Sequence, residues 1–395
     1  MRVLLFGAAD ERPGFPRLRG LTASLERLGA SVERLLLPPP PRDRSALFRN
    51  PWKGFRVLSR ILMGRRSLVE KGRNLSRPDL VLAGYPAFGT ADLAARIWPG
   101  VPVVVDFFLS LYDTVILDRG LWPDRGLGAR LLRRLDRATC SAGDVVLVDT
   151  EEMGDFAADV TGLPRERFVP VPCGDPDAPA APAPYEPPGP GEPFKVFFAG
   201  TGPPLQGVET ILGALERCKA PVVLTLAGGG KAASEAARKD WGGKVRFLRS
   251  WLDREALGRE IRSSHLVLGI FGTTEKADRV VPLKVYHGLA EGRPVLTGDS
   301  RAVRRLLEPG KEVLLAPRGD PAALAAGIRE VREDPLLLGE VARRGWEAFQ
   351  DRFSLSALAG RWREILAKLG VPLPSPSVES RREGEEAHSF AEVRG

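Results

Sequence analysis

The chain has 395 residues, of which 43% are apolar and 27% are charged, and this composition is typical of a soluble globular protein and excludes general disorder. The length allows two domains, each with its own hydrophobic core. The net charge of +8 leaves nucleic acid, a membrane surface and phosphorylated ligands open as partners, so the distribution of charge matters more than its total.

The cysteines and the apolar runs indicate where the protein works. Its three cysteines are far apart, and no Cys/His spacing fits a zinc site. The apolar run at the N-terminus is too short for a signal peptide, and no run of about 18 apolar residues occurs. We therefore expect a cytoplasmic protein without a bound metal. Its frequent Arg, Ala, Gly and Pro are typical of a bacterial genome rich in G and C.

Strands and helices alternate through the first half of the chain. Short β-branched runs predict strands at 3–6, 31–37, 80–83, 103–105, 145–148 and 168–171. Helical periodicity predicts helices near 17–28, 89–98, 126–140 and 150–160. The loop after the first strand contains Gly7 and Gly14 but no GxGxxG pattern, so it is not a dinucleotide fingerprint. The alternation predicts an α/β fold with a doubly wound parallel sheet.

A strongly basic segment, 42–77, interrupts this alternation. It is dense in Arg and Lys, carries Asp43 and Glu70 as its acidic residues, and interleaves the cations with aromatic and aliphatic side chains such as Trp52 and Phe55. Such a segment can dock on anionic lipid, and we adopt this as a hypothesis. The alternative is a solvated helix whose apolar stripe packs on its own domain. Nucleic acid is disfavoured, because no known RNA- or DNA-binding module accompanies the charge.

Two carboxylates follow the predicted strand at 103–105. Asp106 comes directly after it, and Asp113 lies further along the same loop. Ligands bind at the carboxyl ends of strands in open parallel sheets, so Asp106 is a candidate to act as a base or to orient an acceptor hydroxyl. For both residues the alternative is a helix cap or a paired carboxylate, and we favour that alternative for Asp113.

The stretch 170–193 is dense in Pro, Ala and Gly and predicts an interdomain linker. Its Asp175-Pro176-Asp177 looks like a metal-binding DxD motif, but a proline-rich linker gives such a motif poor support. We assign it no metal. A second alternation of strands and helices follows, beginning with the predicted strand at 195–199.

Two glycine-bearing loops follow strands in the second half. The first runs from Gly200 to Gly207 and leads into a helix, and the second, Gly228-Gly229-Gly230, ends the predicted strand 222–226. Backbone N–H groups in such loops can hold a diphosphate, although any strand-to-helix turn tolerates glycine.

The segment 265–300 combines a buried strand, a polar loop at 271–276, a helix that starts at Pro282 and a further strand. Lys284 lies in the first turn of this helix, where it opposes the positive end of the helix dipole. An anion held at the helix start would explain the lysine, and a solvated lysine is the alternative.

The second half resembles the donor domain of nucleotide-sugar glycosyltransferases with the GT-B fold (group 1, family 4-like). The resemblance rests on Ala199-Gly200-Thr201 with Gln206-Gly207-Val208, on the glycine-ended strand 224–230, and on 281–295, which includes Pro282-Leu283-Lys284. It is specific over about 195–330 and loose in the first half. It implies two Rossmann-like domains that face a cleft, a nucleotide-sugar donor, a hydroxyl acceptor and no metal or other cofactor.

The resemblance also implies a set of donor-binding residues, with Asp106 as the catalytic candidate from the acceptor side. The donor-binding candidates are Gly200, Thr201, Gly202, Gln206, Gly207, Gly228, Gly229, Thr273, Thr274, Glu275, Arg279, Lys284 and His287. The chain departs from the family pattern at three of them. Retaining members carry a spaced pair of glutamates where this chain has Arg279 and His287, and Gln206 replaces the usual basic residue. We expect Arg279 and Lys284 to serve as the cations at the diphosphate.

The resemblance implies an acceptor-side domain (1–180), a donor domain (194–352) and a helix that crosses back to the first domain (353–370). Composition predicts a proline-rich linker (181–193) and a disordered tail without an apolar face (371–395). The resemblance also implies a glycosyltransferase, with a lipid-linked or cell-envelope glycan among the acceptors it allows. We expect the protein in the cytoplasm, and the membrane hypothesis for 42–77 would bring it to the inner face of the cytoplasmic membrane. A nucleotide-sugar epimerase on the same fold and a noncatalytic nucleotide-sugar-binding or scaffold protein are the alternatives. Sugar, nucleotide base and stereochemical outcome are not encoded in these motifs.

Overall fold

The computed structural model describes residues 1–12, 16–39, 51–248 and 252–374, and these residues form two α/β units. Each unit is built on a parallel sheet of six strands. The strand order is β2-β1-β3-β4-β5-β6 in the first sheet and β12-β11-β10-β7-β8-β9 in the second. Because helices connect parallel strands and cover both faces of such a sheet, this is the predicted pair of doubly wound, Rossmann-like units, and the predicted fold class is confirmed.

The first unit contains β1 to β6 and five α-helices. The strands are β1 (Arg2–Gly7), β2 (Ser31–Leu36), β3 (Leu80–Ala83), β4 (Val103–Asp106), β5 (Val145–Val148) and β6 (Phe168–Pro170). The helices are α1 (Pro16–Arg27), α2 (Pro51–Arg73), α3 (Ala91–Ile97), α4 (Leu127–Ser141) and α5 (Glu151–Thr161), with a π-helical segment at Asp113–Asp118 and a 3-10 turn at Arg165–Arg167.

The second unit contains β7 to β12 and the remaining helices. The strands are β7 (Phe194–Gly200), β8 (Val222–Gly228), β9 (Val245–Leu248), β10 (Leu266–Leu268), β11 (Val295–Gly298) and β12 (Leu314–Ala316). The helices are α6 (Val208–Arg217), α7 (Gly230–Ala236), α8 (Arg254–Arg262), α9 (Glu275–Arg279), α10 (Leu283–Ala290), α11 (Arg301–Leu306), α12 (Pro321–Glu333), α13 (Pro335–Phe353) and α14 (Leu355–Lys368), with a 3-10 turn at Pro204–Gln206.

The central strands are apolar on both faces, which explains why they form sheets covered by helices. All residues of β3, β4, β5 and β11 are buried. Strands of this kind read as continuous apolar runs because helices cover both faces of the sheet. The carboxyl ends of the strands in each sheet meet at one edge, and the loops at these two edges form the site described below.

The last helix belongs structurally to the first unit. Trp362 of α14 is fully buried, and its indole N–H donates to the carbonyl of Leu21 in α1 at 3.1 Å. Leu358, Ile365 and Leu366 join the same core as β1 and α1. The end of the chain therefore ties the second unit back to the first. Most of the predicted tail, 375–395, lies outside the described residues.

The structure corrects the sequence-based description in three places. The polar loop after β10 contains a short helix, α9, which Thr274 caps by accepting from the N–H of Ala277. The region after Asp106 contains a π-helical segment that the periodicity did not predict. The start of the proline-rich linker is fixed, because Asp175 is buried and pairs with Arg254 at 2.7 Å.

Candidate functional site

Three loops meet at the carboxyl edge of the second sheet, and two of them are the glycine-bearing loops predicted from sequence. The N–H of Gly229, after β8, donates to the carbonyl of Gly200, at the end of β7, at 2.6 Å. The N–H groups of Phe271 and Gly272, after β10, donate to the carbonyls of Gln206 and Leu205, each at 3.1 Å. Direct backbone contacts therefore hold the three loops together.

The glycines allow this close approach. Gly202 has a φ of 75°, and a Cβ atom there would lie 2.4 Å from the carbonyl oxygen of Gly229. Gly228 has a φ of 81°, and its Cβ would lie 2.2 Å from the carbonyl oxygen of Gly200. A side chain at either position would be strained and would also push the loops apart. The edge of the sheet consequently presents backbone rather than side chains.

Two helices begin at this edge without a capping side chain. Helix α6 starts after Gly207, which has a φ of 61°, and α10 starts after Pro282; neither preceding residue supplies a side-chain acceptor to the first turn. Gln206 is directed to the loop itself, since its Oε1 accepts from the N–H of Gly202 at 2.9 Å. The uncapped helix starts carry partial positive charge that suits an anionic ligand.

Lys284 is the most unusual side chain near the three loops. Its Nζ is buried, has no hydrogen-bond partner among the described residues, and lies 4.3 Å from the centre of the Phe198 ring in β7. Burial without a counter-ion lowers the pKa of the amine to about 7. The predicted solvated alternative is excluded by this burial. A buried amine without a partner is costly unless a ligand supplies one.

Thr273, Thr274 and Glu275 form the third loop and the start of α9. Thr273 and Glu275 are exposed. The hydroxyl of Thr274 donates to Asp118 Oδ1 of the first unit at 3.3 Å, and the same carboxylate oxygen accepts from the N–H of Leu205 at 3.2 Å. The π-helical segment of the first unit therefore touches two of the three loops.

Arg279 does not lie where we expected it. Its guanidinium is buried, donates to Asp113 Oδ1 at 2.6 Å and stacks on the Phe156 ring at 4.0 Å. Its carbonyl accepts from the hydroxyl of Thr150. Asp113 also lies 3.4 Å from Lys276 Nζ. The expectation that Arg279 neutralises a diphosphate is thus corrected, because a carboxylate of the first unit already neutralises it.

His287, a donor-binding candidate from sequence, contacts a carboxylate of this chain. Its Nε2 lies 3.9 Å from Asp175 Oδ2, on the segment that leaves the first unit, and burial lowers the pKa of the imidazole. Asp175 in turn pairs with Arg254, which also binds Glu291 at 2.7 Å. His287 therefore belongs to a buried polar cluster that fixes the linker.

Asp106 lies at the carboxyl end of β4, as predicted, and is paired. Its Oδ1 accepts from Arg17 Nε at 3.0 Å, while its Oδ2 is buried and has no partner among the described residues. Burial raises the pKa of this carboxyl despite the nearby guanidinium. Both sequence alternatives are partly realised, since one oxygen makes an ion pair and the other remains able to accept a proton or a hydrogen bond.

Sequence reasoning missed Asp149, which directly follows β5, whereas Asp106 is the last residue of β4. Asp149 is buried, its Oδ1 has no partner among the described residues, and burial raises the pKa of the carboxyl to about 6. The strand-end rule that selected Asp106 would also have selected Asp149. Tyr286 of α10 was missed as well, and its hydroxyl is likewise buried without a partner in the described part of the chain.

The described residues contain no group of three or more His, Cys, Asp or Glu side chains that could hold a metal ion. All three cysteines are free and buried. The polar groups at the two sheet edges are therefore backbone N–H groups, helix starts, carboxylates and a buried lysine.

Comparison with known proteins covers most of the chain. The family model of the glycosyl transferase 4-like domain matches residues 1–174, and that of glycosyl transferases group 1 matches residues 193–334. A search of curated proteins gave no match.

Several solved structures share the fold across both units. HepE of Anabaena, solved in complex with UDP, has a TM-score of 0.63 at 17% identity and covers 93% of this chain and 100% of its own. Sucrose-phosphate synthase of Thermosynechococcus elongatus has a TM-score of 0.67 at 16% identity, covering 93% and 98%. A glycosyltransferase of Rickettsia africae has a TM-score of 0.57 at 12% identity, also covering 93% and 98%. These matches and the two family models show that the chain belongs to the group 1 glycosyltransferases of the GT-B fold.

Proposed function

We propose that this glycosyltransferase binds a nucleoside-diphosphate sugar at the carboxyl edge of the second sheet and transfers the sugar to a hydroxyl acceptor presented by the first unit. The observation that carries the proposal is the meeting of three backbone loops at the end of β7, together with the buried Nζ of Lys284, which lies against Phe198 of the same strand and has no partner in the described residues. HepE of similar fold was crystallised with UDP and with UDP-glucose, which makes these two compounds the first to test.

The diphosphate would be held by helix starts and one lysine. Burial lowers the pKa of the Lys284 amine to about 7, and a bound diphosphate would become its counter-ion and favour the protonated form. A charge-assisted contact of this kind contributes about 1.5–3 kcal/mol. The uncapped starts of α6 and α10 add donors without a metal. We therefore propose that no metal ion is required.

The transfer step needs a group that receives the acceptor proton. The bond between the donor sugar's C1 and the phosphate oxygen breaks, and the nucleoside diphosphate leaves with the electron pair. The acceptor oxygen forms the new bond to C1 and loses its proton. We propose Asp106 as the acceptor of that proton, and two observations support this role: its buried Oδ2 has no partner in the described residues, and burial raises the pKa of the carboxyl.

The first test measures nucleotide affinity by calorimetry with UDP. Replacing Lys284 with Met keeps a buried apolar stem and removes the amine, and we expect UDP to bind at least about tenfold more weakly. Lys231→Met is the matched control, because that lysine follows the glycines of the second loop but is 85% exposed. The affinity of this variant for UDP should stay within about twofold of the unaltered protein's. Equal UDP affinity in Lys284→Met and the unaltered protein would refute the donor site.

The second test separates transfer from other chemistry. Asp106→Asn retains a hydrogen-bond acceptor for Arg17 but cannot take up a proton as readily. We expect UDP affinity to be retained while transfer falls by about 100-fold.

Products that form from UDP-glucose without any acceptor would favour the epimerase alternative instead. We also expect sugar transfer to continue after treatment with a chelator. Loss of transfer would contradict the proposal that no metal ion is required.

Association with a membrane is the finer part of the proposal, with a lipid-linked acceptor as its purpose. Part of the basic segment 42–77 lies outside the described residues, but 51–73 forms α2. Leu62 and Met63 of α2 are 54% and 70% exposed, and Arg60 and Arg66 beside them are exposed. No helix of the described chain is long and apolar enough to cross a bilayer. If liposomes rich in anionic lipid do not sediment the protein at low salt, the membrane part of the proposal is lost.

A further inference from the structure

Exposed large apolar side chains are concentrated in one short part of the first unit. Within the described ranges, Leu121 is 38% exposed, Trp122 45%, Leu127 82% and Leu131 55%. We call these four residues the apolar ridge. Single exposed apolar residues are common on proteins, but four within a span this short form a patch that needs an explanation.

The geometry makes the ridge continuous. Leu127 and Leu131 are one helical turn apart on α4, so their side chains lie on the same face. The Trp122 ring lies against the first turn of that helix, since a Cβ at Gly128 would be 2.8 Å from the ring. The indole and the two leucines therefore form one surface rather than separate exposed positions.

Unpaired cations border the ridge. Arg125, Arg130 and Arg134 are exposed, and none of them makes an ion pair with another residue that the structure describes. Arg130 and Arg134 continue the Leu127 face of α4 at helical spacing. The single acidic residue among the exposed positions, Asp124, pairs with Arg133 at 3.2 Å. The surface consequently combines apolar side chains with uncompensated positive charge.

We propose that the apolar ridge and its three arginines dock the first unit on the surface of an anionic lipid bilayer. Arginines can keep their guanidinium groups among lipid headgroups while leucines and an indole enter the interface. This inference rests on the membrane association proposed for 42–77, because that proposal supplies the lipid partner. The ridge is formed by different residues of the first unit. Helix α3 packs against both α2 and α4, so the two segments belong to one helical layer.

A bilayer fits this surface better than a protein or nucleic acid partner. The cations and apolar side chains alternate along an exposed helix face, which suits a fluid interface with charge at one depth and hydrocarbon at another. A nucleic acid would leave the leucines in water. The indole of Trp122 also suits the boundary between headgroups and hydrocarbon.

The test is cosedimentation of the full chain with vesicles of equal parts phosphatidylglycerol and phosphatidylcholine at low ionic strength. One variant carries Leu127→Ser and Leu131→Ser, and a second carries Arg125→Glu, Arg130→Glu and Arg134→Glu. Each arginine near an anionic surface strengthens binding about fivefold, and each glutamate adds repulsion, so the arginine variant should bind at least about 100-fold more weakly. The leucine variant should bind at least about tenfold more weakly, because serine removes the buried apolar area.

Matched changes on the second unit serve as controls. Leu336 is 87% exposed on α13, and Arg329 is exposed on α12. Leu336→Ser and Arg329→Glu should bind vesicles as the unaltered protein does. All substituted positions are exposed, and equal unfolding midpoints in urea would establish that every variant is folded.

Each outcome decides between the ridge and the other proposals. If the ridge variants bind vesicles like the unaltered protein, the ridge proposal is wrong. If binding is lost only in a variant with Arg60→Glu and Arg66→Glu in α2, the membrane contact belongs to 42–77. If the unaltered protein does not cosediment with anionic vesicles, or binds RNA instead, the membrane proposals for both the ridge and 42–77 are wrong. Calorimetry with UDP on the same samples measures the donor site separately. A failure to bind vesicles would therefore leave the proposed sugar transfer intact.

Discussion

Asp113 holds the two units together through two buried cations, and neutralising it tests the closed arrangement. Its side chain is fully buried, while those of Arg279 and Lys276 are 7% and 10% exposed. Asp113→Asn keeps the shape of the side chain and removes its charge. The two cations would then lie between the units without their shared counter-ion, although Lys276 would still donate to the hydroxyl of Thr114 at 2.8 Å.

The expected cost follows from this burial. Removing one partner of a buried ion pair costs about 3–5 kcal/mol, because the remaining charge stays desolvated. Because Lys276 keeps its hydrogen bond to Thr114, we take the lower end of this range. We expect the unfolding free energy of Asp113→Asn to fall by about 3 kcal/mol.

Urea unfolding of a double-mutant cycle isolates the pair. Asp113→Asn, Arg279→Gln and the double variant should show a coupling of about 2 kcal/mol, because the second change removes the charge that the first leaves unpaired. Glu275→Gln is the control, since that carboxylate contacts the same guanidinium at 3.3 Å but is 81% exposed. It should change stability by less than about 1 kcal/mol.

A coupling below about 0.5 kcal/mol would refute the reasoning, because contacting buried groups show larger interaction energies. It would mean that the two units do not meet at Asp113 and Arg279 in solution. A loss of stability in Glu275→Gln as large as in Asp113→Asn would also contradict the reasoning. It would mean that burial does not make the Asp113 ion pair stronger than the exposed Glu275 pair.

Three further predictions concern the donor site and the last helix. Because the Lys284 pKa is lowered to about 7, the unfolded chain binds the extra proton between about pH 7 and 10; stability relative to Lys284→Met in urea should therefore rise with pH across that window, and a flat difference would contradict the burial. Gly202→Ala should weaken UDP binding at least about fivefold by calorimetry, whereas Gly242→Ala, with positive φ but open space around it, should not. Trp362→Ala should lower the unfolding free energy by about 3–5 kcal/mol in urea, more than Trp362→Phe, and an unchanged midpoint would mean that α14 does not dock.

The sequence identified the parts of the site that depend on local structure. The apolar run before Asp106 predicted β4 and its carboxyl end, because a buried parallel strand is recognisable from a few residues. The glycines at 200, 202, 228 and 229 predicted backbone loops at the ends of two strands, and the close approach of these loops in the structure explains why no side chain fits there. Lys284 was found because its place in a first helical turn conflicts with the helix dipole.

The partners of charged side chains were not predictable in the same way. Arg279 was assigned to a diphosphate because its position matched a family motif, yet its counter-ion is Asp113, 166 residues earlier in the chain. His287 was named as a donor-binding candidate for the same reason, but it faces Asp175 in the linker. Neither pairing leaves a periodic or local signal, since each is created only when the two units pack.

The sequence by itself therefore determined the two α/β units, the glycine-bearing loops and the position of Asp106 at a strand end, because backbone conformation and burial depend on neighbouring residues. Only the tertiary structure decided which charges are free. It paired Arg279 with Asp113 and Asp106 with Arg17, and it left the amine of Lys284 buried against Phe198 without a partner in the described chain. Electrostatic energies fall with distance in space rather than along the chain, so the fold had to be formed before the ligand site could be distinguished from the contacts that hold the units together.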